Sequence, residues 1–179
     1  MGNPVVHFEI GAADEGPLLR FYGEVFGWGL RAVPGVNYTL VDTRGGGGIN
    51  GGIGRSATGQ AWATFYVEVD DPQAALDKAA ALGGRTVLPV TELPGMATLA
   101  MFDDPDGLLV GLVGREEPRE GAAQGPSDGE GAPVDWFEVL GADAGRSQAF
   151  YAELFGWKVG QGVYGQVDTG RGIGGGIGA

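Results

Sequence analysis

The stretch PVVHFEIGAADEGPLLRFYGEVFGW, Pro4–Trp28, is written again as PVDWFEVLGADAGRSQAFYAELFGW, Pro133–Trp157. The copies align without a gap, and 13 of the 25 positions are identical. The echo continues downstream, where Tyr38–Thr43 (YTLVDT) matches Tyr164–Thr169 (YGQVDT) and Gly51–Gly54 matches Gly175–Gly178. A repeat of this kind marks a structural unit used more than once, so its internal order decides the fold.

Within the first copy, Val5–Ile10 alternates β-branched and aromatic residues with polar ones, which predicts a strand. Asp14 is placed to cap a helix in which Leu18, Leu19, Tyr22, Val25 and Phe26 recur at helical spacing, and Gly27 is placed to end it. Three short strands follow, near Trp28–Val33, Asn37–Asp42 and Ile49–Ile53, giving a β-α-β-β-β module. A diverged module of the same order occupies residues 62–114: strand Ala63–Val69, helix Asp71–Leu82, then strands near Thr86–Pro89, Ala97–Phe102 and Leu108–Val113. The last two strands are joined by Asp104-Pro105-Asp106-Gly107, a turn with Pro and Gly at the positions turn chemistry favours. Residues 115–132 are dense in Gly, Pro, Ser and charge without apolar periodicity, and read as a flexible linker. Residues 133–179 form a third β-α-β-β-β module.

The chain has 179 residues, a net charge of −12 and no cysteine. Such acidity, with no basic stripe, argues against nucleic acid and anionic membrane surfaces as partners. Without cysteine there are no disulfides, thiolate metal sites or Cys nucleophiles. No apolar run approaches the ~20 residues of a membrane span. The N-terminus lacks the basic and apolar regions of a signal peptide, so a cytoplasmic protein is expected. The glycine-rich run Gly45–Gly54 does not read as a phosphate loop, because no helix and no Gly-Lys-Ser/Thr follows it.

Three β-α-β-β-β units carrying HFEIGAAD, FYGEVFGW, GGINGGIG, FYVEVDDPQAALDKAAALGG and FDDPDG resemble the vicinal oxygen chelate superfamily of glyoxalases, bleomycin-resistance proteins and extradiol dioxygenases. The resemblance implies an α+β fold in which two modules form a cupped domain, here residues 1–114. The third module is then half of a second domain, unpaired in its own chain. Two accounts of it stand open: a chain cut within a domain that held a fourth module, or a homodimer formed through the third modules of two chains.

The same resemblance implies a divalent metal held by His, Gln or Glu side chains from the first and fourth strands of the modules. Only His7, the sole histidine, falls on such a position. The equivalent first-strand residues are Thr64 and Trp136, and Gly51, Gly111 and Gly175 fall at the fourth-strand carboxylate position by sequence spacing. One imidazole is too few ligands to organise a metal, so no cofactor is expected. His7 and Glu9 share a strand face and are the candidates for acid–base work. His7, Gly51, Trp62, Thr64, Tyr66 and Gly111 are the candidates for contacting an organic ligand, the glycines by opening volume and the aromatic rings by stacking. Phe21, Tyr22, Phe26 and Trp28, with their counterparts Phe150, Tyr151, Phe155 and Trp157, read as core. The expected function is binding or sequestering a small, partly aromatic molecule, as in the bleomycin-resistance branch. A metal-dependent lyase or dioxygenase and a non-catalytic assembly module are the alternatives.

Overall fold

The computed structural model describes residues 2–115 and 129–179. In chain order these hold β1 (Val5–Ala12), α1 (Glu15–Phe26), β2 (Gly29–Ala32), β3 (Tyr38–Asp42), β4 (Asn50–Arg55), β5 (Trp62–Val69), α2 (Pro72–Ala81), β6 (Arg85–Leu93), β7 (Ala97–Asp103), β8 (Leu109–Gly114), β9 (Trp136–Leu140), α3 (Ala144–Phe155), β10 (Lys158–Val159), β11 (Tyr164–Asp168) and β12 (Gly174–Gly178). This is the mixed α+β order expected from the sequence. Most of the segment read as a linker, residues 116–128, lies outside the described residues.

Each helix starts and stops where the side chains dictate. Asp14 and Asp143 are extended and accept the amides of Gly16 (3.1 Å) and Arg146 (3.0 Å). At the other ends Gly27 (φ 68°) and Gly156 (φ 67°) turn left-handed, a conformation that disfavours a β-carbon. In α2, Asp71 caps the amides of Gln73 and Ala74, and Pro72 occupies the first turn, where no amide is needed.

The described residues group into two compact units. One comprises residues 7–65 and 129–135. Its strands run in the order β2-β3-β4-β1, with β1 parallel to β4 and the other pairs antiparallel. Trp28 joins helix to sheet: its ring stacks on Tyr22 (5.5 Å between centroids) and packs on Phe8 and Phe26. Residues 129–132, read as linker, are tied down here. Ala132 N–H donates to Phe26 O, Trp28 Nε1–H donates to Ala132 O (2.9 Å), and Ile49 pairs with Val134.

The other unit comprises residues 2–6, 66–115 and 136–179. It contains β5-β8-β7-β6 and, as a separate sheet, β10-β11-β12-β9. Both repeat the parallel pairing of a module's first and fourth strands. Trp157 does in the third module what Trp28 does in the first, stacking on Tyr151 (5.8 Å) and packing on Phe137 and Phe155. Its Nε1–H donates to Asn3 O, while Asn3 N–H donates to Phe155 O. Each tryptophan thus binds the residue that precedes the other copy's opening proline.

The third module's sheet stands alone, but its helix does not. Phe102 of β7, fully buried, packs against Phe150 and Phe155 of α3 at 6.2 and 6.4 Å. Tyr151 Oη–H donates to Asp104 Oδ2 at 2.9 Å. Asp106 binds the Arg146 guanidinium, Ser147 Oγ and the Ala142 amide, and Lys78 of α2 donates to Glu153 O. The sequence predicts no partner for this module in its own chain; the Asp104–Gly107 turn and β7 pack on its helix, while Trp136 and Leu140 on its cup face stay exposed. A turn motif carries no signal of what docks on it, which is why sequence reading missed the contact.

Candidate functional site

Strand alternation sets the site. On β1, Phe8 and Ile10 face the helix, and Val5, His7, Glu9 and Gly11 face the opposite, cup side. Half-buried His7 lies 2.9 Å, Nε2 to Oη, from Tyr38 of β3. Burial pulls the His7 imidazole down from its ordinary value to about 4, so at neutral pH it is an uncharged hydrogen-bonding group. Burial, together with the Glu9 carboxylate, pushes the Tyr38 phenol up, so it too stays neutral. Trp62 of β5 lays its indole over Gly11, where a β-carbon would overlap the ring. Thr64, two residues on, is buried. His7, Glu9, Tyr38, Trp62 and Thr64 therefore belong to one unit, in which His7 of β1 and Tyr38 of β3 are neutral hydrogen-bonding groups and the Trp62 indole lies over Gly11, farther along the same strand face.

The register corrects the glycine assignments. His7 pairs with Asn50, Phe8 with Gly51 and Glu9 with Gly52. Gly51 thus faces the helix, where Phe8 fills the space a side chain would need, and Gly175 stands the same way against Phe137. Neither opens cup volume. The cup-facing positions are Gly52 opposite Glu9, Gly111 opposite Tyr66, and Gly176 opposite Glu138. Sequence spacing slipped by one residue here, and with a period of two one residue reverses the face.

Each of these three glycines is covered by a tyrosine. A β-carbon at Gly52 would overlap the Tyr38 hydroxyl, one at Gly111 the Tyr66 ring, and one at Gly176 the Tyr164 hydroxyl. Tyr66 and Gly111 lie in the other unit, where Tyr66 is buried and its hydroxyl points to Met101 Sδ at 3.8 Å. In the third module Tyr164 Oη–H donates to Glu138 Oε1 at 2.9 Å, and Trp136, in the place of His7, is 44% exposed. Tyr38 and Tyr164 were missed as site residues. Their signal was present, since both open the repeated segment YTLVDT/YGQVDT.

A side-chain metal centre does not fit this donor set. Among the described residues no three His, Asp or Glu side chains converge as a metal site, the fourth-strand positions opposite Glu9 and Tyr66 hold glycine, and Asn50, opposite His7, has its Oδ1 accepting from the Thr43 amide and hydroxyl. Nor is any described helix long and apolar enough to cross a membrane.

Comparison with known proteins extends this picture. A glyoxalase-like domain model matches residues 6–113. The anthracycline biosynthesis protein DauV of Streptomyces sp. (strain C5) is 26% identical over 92% of this chain and 62% of its own length. The Mn(II)-bound glyoxalase of Novosphingobium aromaticivorans superposes with a TM-score of 0.66 at 15% identity, over 99% of this chain and 62% of that one. Homoprotocatechuate 2,3-dioxygenase of Brevibacterium fuscum gives 0.68 at 18% identity, over 99% of this chain and 54% of that one. The chain thus spans about three fifths of the length of such relatives. With β-α-β-β-β modules, the fold of glyoxalases and extradiol dioxygenases, and a family match over more than half its length, the chain belongs to the glyoxalase-like domain family of the vicinal oxygen chelate superfamily.

Proposed function

We propose that this protein binds, and acts by sequestering, a small neutral molecule with an aromatic part, on the cup face of β1 beside Trp62. The observation that carries this reading is the His7–Tyr38 hydrogen bond. A general base works best with a pKa near the working pH, and an imidazole held at about 4 is far from it. Two neutral hydrogen-bonding groups with an indole nearby are suited to orienting a planar ligand with a carbonyl or hydroxyl. The relative named for anthracycline biosynthesis and the ring-cleaving dioxygenase neighbours point to aromatic ligands in the same way. Sequestration needs no reaction.

A thermal-shift screen with planar aromatic carbonyl and hydroxy compounds tests the reading. A ligand at about 100 times its Kd stabilises by about 2.7 kcal/mol, a rise of several degrees for a chain of this size. The expected hits lose their shift in Trp62→Ala; a screen with no hit overturns the reading.

A second reading, a metal-dependent lyase or dioxygenase, is favoured by the Mn(II)-bound glyoxalase and dioxygenase neighbours. Stoichiometric Mn, Fe, Ni or Zn in the purified protein would establish it over the first. The exposed cup residues Trp136, Leu140 and Tyr164 favour a third, assembly through a homodimer of third modules. A monomeric mass in light scattering would exclude that one.

A further inference from the structure

We propose that Tyr38 and Gly52 form an interlock that makes Tyr38 the positioning residue for His7 and takes the space of a side-chain ligand at position 52 of the fourth strand. Three observations converge on it. The Tyr38 hydroxyl lies within hydrogen-bond distance of His7 Nε2. The same hydroxyl sits where the β-carbon of a residue at position 52 would be, so only glycine admits it. The arrangement also recurs in the third module, where Tyr164 occupies the space above Gly176 and reaches Glu138, the counterpart of Glu9.

The recurrence shows what is fixed and what varies. A tyrosine at the start of the third strand crosses to the fourth-strand glycine two residues before its own partner: Tyr38 pairs with Gly54 and covers Gly52, and Tyr164 pairs with Gly178 and covers Gly176. The first-strand partner differs, an imidazole in one copy and a carboxylate in the other. The tyrosine–glycine pair is thus the constant part, and it hands a hydroxyl to whichever polar group the first strand offers. In the first module the consequence is chemical. The imidazole Nε2 is held by a phenol, position 52 of the neighbouring strand offers no side chain to join it in coordinating a cation, and the Oδ1 of Asn50, opposite His7, is taken by Thr43.

This inference deepens the proposed function by naming what holds its hydrogen-bonding group, and it is read without any ligand, so the two fail separately. His7 is the sole histidine, so its ring nitrogens give unambiguous resonances in the full-length protein labelled with 15N-histidine. At neutral pH, Tyr38→Phe is expected to move the Nε2 resonance. Gly52→Ala is expected to move it to the same new position, because the added methyl displaces the phenol. The double variant adds nothing further, as expected for residues acting through one contact. A molar excess of Zn(II) leaves the wild-type resonance in place. If Gly52→Ala does not fold, Tyr38→Phe and the Zn(II) titration still decide the matter. An Nε2 resonance unchanged in Tyr38→Phe overturns the positioning role. A wild-type resonance displaced by Zn(II) overturns the exclusion of metal.

Discussion

Helix α1 buries none of its residues, and Phe21 and Val25 are 56% and 55% exposed. Helix α3, its copy, buries seven, with Phe150 and Leu154 in the places of Phe21 and Val25. The strands reverse this. On the cup side of the first module His7 and Glu9 are half-buried, whereas Trp136, Glu138 and Leu140 of the third stand exposed. One segment therefore specifies an amphipathic helix and an alternating strand in both places, yet opposite faces are covered. The exchanged residues explain the helix half of the difference. Pro17 and Leu18 become Arg146 and Ser147, and both replacements bind Asp106. The remaining apolar face is shared by both copies, and what packs on it is Phe102 and the turn after it.

Four measurements test that comparison. Phe102→Ala removes the ring on which α3 rests and is expected to cost about 3–5 kcal/mol in denaturant unfolding. Phe21→Ala, on the uncovered copy, is expected to stay within about 0.5 kcal/mol; equal losses would break the contrast. Tyr151→Phe deletes a hydrogen bond to a buried carboxylate, worth about 1.5–3 kcal/mol, while Tyr22→Phe, which lacks such a partner among the described contacts, should change little.

The third measurement is a pH profile. His7 has a folded pKa of about 4 against 6.5 unfolded. Between those values the unfolded chain binds the extra proton, so stability falls as pH drops from 6.5 towards 4. The loss is about 1–2 kcal/mol after allowance for residual solvent access. His7→Gln should flatten that part of the profile, and nothing in the third module replaces it, since Trp136 does not titrate. The smallest effect belongs to Arg146→Ala. Its ion pair with Asp106 has a half-exposed guanidinium, so a loss of no more than about 1 kcal/mol is expected.

The repeated aspartate-to-glycine helices and the module order were legible because they rest on local rules, caps, periodicity and turns, and the family was legible as a resemblance of motifs such as HFEIGAAD and FDDPDG. The strand faces on which His7, Glu9, Trp62 and Thr64 lie were also legible, since alternation alone puts a first-strand residue on a face. The glycines were only partly so. Gly111 was placed on the correct face, but Gly51 and Gly175 were not, because the pairing of β4 with β1 depends on a loop whose length does not set register. Tyr38 stands out in the sequence only as a repeated letter, since its partner lies 31 residues away.

The sequence by itself determined the β-α-β-β-β modules, their helix boundaries and a scarcity of metal ligands, all consequences of side-chain type at fixed local spacing. Only the tertiary structure decided which face of each copy is covered, which glycine a tyrosine fills, and that His7 is held by a phenol. Those outcomes depend on strand register and on surfaces brought together from distant parts of the chain, where a one-residue shift or a different neighbour reverses the result.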